Sequence, residues 1–176
     1  MTESIEYKLV RKLEAAEIRR YPSILLATVF GESDNEAFTR LFNFITGNNR
    51  SRKKIPMTAP VVSSEKEGEK MQMTVPVLSG SNSFSFVMPP SFSADDLPIP
   101  LDDHVKIEKV GARLVAALMF RGRASRRSTV EHLGELNGIL KRNGIKAKGE
   151  PFLMRYNSPM TPGFMRRNEV AIEIDG

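Results

Sequence analysis

Residues 50–61, Arg50-Ser-Arg-Lys-Lys-Ile-Pro-Met-Thr-Ala-Pro-Val61, set four cations in five positions directly ahead of a short apolar stretch holding Pro56 and Pro60. Arg50, Arg52, Lys53 and Lys54 would stand at the lip of whatever Ile55, Met57 and Val61 help to line. That arrangement suits an amphipathic ligand with an apolar body and a carboxylate end, because charge-assisted hydrogen bonds hold carboxylates well. A charge run alone marks a solvated face, so a site needs apolar surface brought to it by other segments.

Residues 156–170, Tyr156-Asn-Ser-Pro-Met-Thr-Pro-Gly-Phe-Met-Arg-Arg-Asn-Glu-Val170, form the second unusual segment. Its prolines fix the path of a long loop. Arg166, Arg167, Asn168 and Glu169 then stand directly before the last apolar run. Glu169 would pair with an arginine or with the backbone of a turn, in a hydrogen-bond cluster that locks the loop. Nine methionines add flexible, polarizable side chains that shape themselves around flat ligands or fill a core.

Several chemistries are excluded. The chain has no cysteine, hence no disulfide, thiolate metal site or cysteine nucleophile. His104 and His132 are its two histidines, and neither has acids or a second histidine at metal-ligand spacing. There is no Gly-x-Ser-x-Gly turn, no phosphate-binding glycine loop and no dinucleotide fingerprint. No catalytic activity is expected. The net charge of +5 leans towards anionic partners, but aromatics are only 7% of the residues and do not interleave with the cations. Specific nucleic-acid binding is therefore not expected. The N-terminus lacks the layout of a signal peptide, and no apolar run approaches the roughly 18 residues that span a bilayer. A soluble, cytoplasmic protein is the expectation, with its protein partners left open.

The elements that must position these residues come in two similar halves. Residues 18–30 and 107–119 each open with an apolar residue and charged partners, turn at Pro22 or Gly111, and then run apolar, as strands covered on both faces do. An amphipathic helix follows each. The first is capped by Asp34 or Asn35 and presents Phe38, Leu41, Phe42 and Ile45; the second starts at Ser128 or Thr129 and presents Leu133, Leu136, Ile139 and Leu140. Gly47 and Gly144 end them. Further strands are expected over 55–62, 71–78 and 84–88 in the first half, and over 152–156 and 169–174 in the second. One domain over residues 1–176 results, with pseudo-repeats at about 5–88 and 104–175 joined by a Pro- and Asp-rich loop, 89–103.

Phe44-Ile-Thr-Gly-Asn-Asn, Lys54-Ile-Pro-Met-Thr-Ala-Pro-Val61 and the Tyr156-x-x-Pro-x-Thr-Pro to Arg166-Arg167-Asn168-Glu169-Val170 stretch resemble the SOUL, or haem-binding protein, family. The resemblance implies an α+β fold in which a duplicated half gives a distorted antiparallel β-barrel flanked by two long helices. It also implies haem or a related tetrapyrrole as ligand, in a groove bordered by the first helix and the loop after it. Carried onto this chain, that groove takes Phe38, Phe42, Ile45, Arg52, Lys53, Lys54 and Met57. The first half contains no histidine, and Thr161 stands where relatives can place a lysine, so binding through the ring face and the carboxylates is implied, without histidine ligation. The alternative is a regulatory small-molecule or protein-interaction module of the gyrase-inhibitor-like fold group. A buried, unpaired glutamate would favour that reading with a cationic ligand, and an apolar cleft with a basic lip would favour haem.

Overall fold

A computed structural model describes residues 3–52 and 68–176. The strands are β1 (Glu3–Ser4), β2 (Lys8–Leu13), β3 (Ala16–Tyr21) and β4 (Ile24–Phe30), followed by helix α1 (Asp34–Ile45). Next come β5 (Asn49–Arg50), β6 (Thr74–Ser79), β7 (Ser83–Val87) and β8 (Ile99–Pro100), then β9 (Lys106–Val110) and β10 (Arg113–Arg121). Helix α2 (Arg126–Arg142) leads to β11 (Ala147–Arg155), a single 3-10 turn at Gly163–Met165, and β12 (Arg167–Ile174). The two apolar runs are indeed strands broken at Pro22 and Gly111. The expected strand over 55–62 lies outside the described residues.

The caps differ from expectation. Ser33, not Asp34 or Asn35, caps α1: its hydroxyl accepts from the Glu36 N–H while the Glu36 carboxylate reaches back to the Ser33 N–H. Asp34 sits one residue too far along, where its carboxylate faces Arg155 instead. Helix α2 likewise begins earlier, with Ser125 accepting from the Ser128 N–H. Reciprocal capping satisfies two backbone donors that an isolated helix start leaves open, and that outweighs a single acidic side chain.

The main sheet runs β2-β3-β10-β12-β11-β6-β7-β4-β9, with β1 parallel to β6; β5 and β8 pair separately. Every contact along this path is antiparallel. From β3 to β9 the order is palindromic about the β11–β6 contact. Each half gives its leading strand, β3 or β9, to the edge of the other half. The sheet is not closed into a barrel, contrary to expectation: β2 and β9 end the path unpaired with each other. Lys8, Arg11 and Lys12 line one edge and Lys106 and Lys109 the other. Joining them would set like charges side by side, and charged edge strands resist pairing.

Period-2 alternation splits the core between the two faces. On one face, Leu136, Ile139 and Leu140 of α2 pack on Ala116, Leu118, Leu153, Val170 and Ile172. On the same side, Ala37, Leu41, Phe44 and Ile45 of α1 pack on Ala27, Val29, Val77, Phe84 and Phe86. The other face gathers Tyr21, Leu26, Leu78, Val87, Val115, Ala117, Met154 and Ala171. Ala116 and Ala117, adjacent in sequence, thus belong to different cores, so the runs are apolar throughout.

Candidate functional site

The buried side of α1 is set by Ala37, Leu41, Phe44 and Ile45. That leaves Phe38 and Phe42, four residues apart, on its flank. Their rings stack with centroids 5.9 Å apart at 11°, and Phe38 also meets Phe86 edge-on at 5.4 Å. Beside Phe38 opens a cavity of about 880 Å³, within the range of small-molecule sites. Phe38, Met73, Val77 and Phe84 supply its apolar wall, and Arg123, Arg155 and Arg166 its cations. The loop between β11 and β12 closes one side through Asn157 and Pro159.

The three guanidiniums differ in what already occupies them. Arg155 bonds Asp34 at 2.9 Å and lies 5.9 Å from the Phe84 ring centroid. Arg166 braces the loop, donating from Nε to the Thr161 carbonyl at 2.9 Å and from Nη2 to the Pro159 carbonyl at 2.8 Å. Arg123 pairs with no carboxylate among the described residues. Its stem lies over Gly163, where an added Cβ would come within 2.7 Å of Arg123 Nε. Of these three guanidiniums it is the one without a hydrogen-bond partner among the described residues.

The expected site residues separate. Phe38 lines the cavity, and Phe42, 46% exposed, continues the aromatic surface outward. Ile45 is only 3% exposed and belongs to the core beneath α1. Arg52 lies apart from the cavity wall, donating to the Ala94 and Asp95 carbonyls at 3.3 Å each. Lys53, Lys54 and Met57 lie outside the described residues. Sequence reasoning did not gather Met73, Phe84, Arg123 and Arg155 into one site, because four separate segments supply them. Their local signals, a strand methionine and an arginine cluster at 121–127, carry no sign of this shared neighbour.

No imidazole faces the cavity. His104 Nδ1 lies 3.0 Å from Asp102 Oδ1 on an exposed turn. His132 stacks on Phe120 at 4.3 Å, with Nδ1 2.6 Å from the Ser128 carbonyl oxygen. Among the described residues no cluster of acids and histidines could hold a metal ion.

On the opposite face of the sheet, Glu169 is fully buried. Arg19 grips it with two bonds, Nη1 to Oε2 and Nη2 to Oε1, both 2.7 Å. Tyr156 donates its hydroxyl to Oε2 and Arg167 donates Nη2 to Oε1 at 3.0 Å. Arg19 also donates to the Tyr21 hydroxyl and to Glu17, and lies 4.3 Å from the centroid of the Tyr7 ring.

The model of the family described as SOUL heme-binding protein matches residues 2–173. The chain belongs to the SOUL family. Heme-binding protein 1 of Xenopus tropicalis is 32% identical to it over 143 residues, which are 80% of this chain and 70% of that one. Human heme-binding protein 2 is 33% identical over 161 residues, covering 88% of this chain and 75% of the other. In fold, a hydrolase from Listeria innocua resembles it with a TM-score of 0.61 over 94% of each chain, at 12% identity.

In this SOUL chain the Glu169 cluster fixes its own protonation states. Burial would raise the Glu169 carboxyl, but the bonds from Arg19 and Tyr156 outweigh it and hold the pKa below the usual value. Burial, and then the Glu169 charge, push the Tyr156 phenol up, so it stays a donor. Burial opposes the charge on Arg19, yet its bonds to Glu169 raise its pKa further. A carboxylate matched in this way has no charge left to attract a cationic ligand. The cavity beside α1 has the opposite character, with an apolar wall, a thioether and an arginine rim, and it can hold a flat apolar molecule bearing carboxylates.

Proposed function

We propose that this chain binds haem or a related tetrapyrrole, without catalytic turnover, in the cavity between α1 and the β11–β12 loop. The observation that carries this reading is the pairing of the Phe38, Met73, Val77 and Phe84 wall with an uncommitted Arg123 at its rim. The family profile supports it, as do the relatives named heme-binding protein. The chemistry of the donor set fits the group: aromatic and thioether surface for the ring, guanidinium for the propionates. Burying ring surface contributes about 25 cal/mol per Å², against which association costs are set. Phe38 and Phe84 would hold the ring, Phe42 would extend the wall, and Arg123 would orient a carboxylate. Bound haem would supply its iron's redox and ligand-binding chemistry; the absence of histidine from the cavity argues against imidazole ligation.

The same reading takes the palindromic strand order as the trace of a duplication, with repeats at about 5–88 and 104–175 joined by 89–103, and places the protein in the cytoplasm. The rival reading, a regulatory small-molecule or protein-interaction module, would be favoured by an unpaired buried glutamate that attracts a cationic ligand. Glu169 is buried but matched by Arg19 and Arg167, which favours the tetrapyrrole.

Hemin titration of variants tests the placement. Phe38→Asp and Arg123→Glu should each weaken hemin binding by about tenfold or more, since charge-assisted contacts contribute about 1.5–3 kcal/mol. A His104→Ala/His132→Gln variant should bind as the parent does. Parent-like binding by both cavity variants would remove the site from this cavity.

A further inference from the structure

The loop between β11 and β12 carries three large apolar side chains out into solvent. Met160 is 90% exposed, Phe164 79% and Met165 56%. Exposed apolar residues scattered singly are ordinary, but three within six positions of one loop mark a contact surface. Nor is this loop a fraying tail. Pro159 and Pro162 fix its path, Arg166 binds two of its carbonyls, and Thr161 and Met165 N–H groups close turns onto Ser158 and Pro162.

Charge supplies a second, independent observation. Residues 121–130 and 157–168 hold Arg121, Arg123, Arg126, Arg127, Arg166 and Arg167, and no aspartate or glutamate. The two segments are neighbours in space: the Gly122 N–H donates to the Arg166 carbonyl at 2.9 Å, Asn168 Nδ2 donates to the Gly122 carbonyl at 2.8 Å, and Arg121 stands opposite Arg167 in the sheet. An apolar tip is therefore set beside an arginine-rich flank, in which Arg127 meets Glu131 at 3.0 Å and Arg167 meets Glu169 at 3.0 Å, while Arg121, Arg123 and Arg126 pair with no carboxylate among the described residues.

We propose that this loop is a membrane-contact surface for anionic phospholipid. Met160, Phe164 and Met165 enter the boundary between headgroups and acyl chains, and the arginines meet lipid phosphates, which their planar donors suit. An acidic protein surface would match the arginines, but side chains standing this far out would need a pocket shaped for each. A fluid interface accepts them without one. The loop also borders the cavity through Asn157, Pro159 and Arg166, so docking would bring the cavity mouth to a bilayer, where planar apolar ligands partition. That last link rests on the tetrapyrrole reading; the membrane contact itself does not.

The chain has no tryptophan, so Phe164→Trp creates a sole tryptophan reporter at the tip, excited apart from the tyrosines. Phosphatidylcholine vesicles containing phosphatidylserine should shift its emission to the blue and co-sediment the protein, and phosphatidylcholine alone should do neither. High salt should weaken the recruitment, because screening shortens the reach of the arginines. Met160→Ser/Phe164→Ser and Arg126→Gln/Arg127→Gln should each lower the bound fraction by about tenfold. Both keep the parent's urea unfolding midpoint, which shows that they are folded. Absence of recruitment to anionic vesicles overturns the proposal and leaves an acidic protein as the partner of the arginines. Equal recruitment by neutral vesicles, or of Met160→Ser/Phe164→Ser, overturns it as well. No hemin is present in the vesicle assay, so failure of the ligand reading would be seen separately.

Discussion

Arg19 and Glu169 stand 150 positions apart in sequence and meet in two parallel 2.7 Å hydrogen bonds, both side chains essentially removed from solvent. Arg19 belongs to the leading strand of the first half and Glu169 to the last strand of the second. The pair thus fastens the exchanged strand β3 to the half that receives it, across β10, which hydrogen-bonds to both β3 and β12. Removing either partner leaves a buried charge, so Arg19→Met or Glu169→Gln should each cost about 3–5 kcal/mol in urea unfolding. Arg19→Met/Glu169→Leu should recover much of that loss. A double variant no more stable than the singles would contradict this account of the pair.

Much of the architecture around this pair is legible in the sequence. The helical stripes, the hairpin turns at Pro22 and Gly111, and the two-sided burial of the strands all follow from local periodicity. The exchange of β3 and β9 does not, because it is decided by pairing between distant segments. Glu169 reads as half of an ion pair, and Arg167 is one of its partners. The dominant partner, Arg19, lies in the other half and has no local signature. The α1 stripe reads one position off: Phe38 and Phe42 flank the true core face of Ala37, Leu41, Phe44 and Ile45. That small rotation puts Phe38 and Phe42, both expected in the groove, at the aromatic edge of a cavity. It also sinks Ile45, an expected ligand contact, into the core.

Acid should loosen the fold in a defined window. Burial works to raise the Asp102 carboxyl, but the His104 backbone N–H and the Arg40 guanidinium outweigh it and bring it down to about 2 from 3.8. A folded-state pKa below the unfolded one gives stability that is present above the unfolded value and lost as pH falls through the folded value. Glu169 has the same sign. Urea midpoints should therefore hold above about pH 4 and drop as pH falls towards about 2. Asp102→Asn should be less stable at neutral pH and less sensitive to acid, and an unchanged acid slope would argue against Asp102 as a source of the effect.

Gly163→Ala offers a way to move Arg123 without removing its charge. The new methyl group would press on the Arg123 stem and Nε, and the flexible side chain would swing away. Hemin affinity should fall by about tenfold, comparable to losing a single charge-assisted bond, while the urea midpoint stays within error. Stability loss without any change in affinity would show that Arg123 takes no part in binding.

The cap of α1 should matter for the site as well as for the fold. Ser33→Ala removes one arm of the capping box and should cost about 1 kcal/mol. Ser33→Asp, which keeps an acceptor for the Glu36 N–H, should restore most of it. Phe38 lies in the second turn of α1, so fraying at this end should also weaken hemin binding at moderate urea, below the unfolding transition. Equal binding by Ser33→Ala and parent under those conditions would uncouple the cap from the cavity.

The most direct test of the central claim is a paired titration of the full chain with hemin and with iron-free protoporphyrin, read by absorbance and by protein fluorescence. A site built from an apolar wall and an arginine rim, with no imidazole, should bind both saturably and with affinities within about tenfold of each other. It should also give a hemin spectrum free of histidine-ligation features. Saturable binding of hemin with none of the iron-free ring would contradict the account, because iron ligation and not the ring and its carboxylates would then hold the ligand.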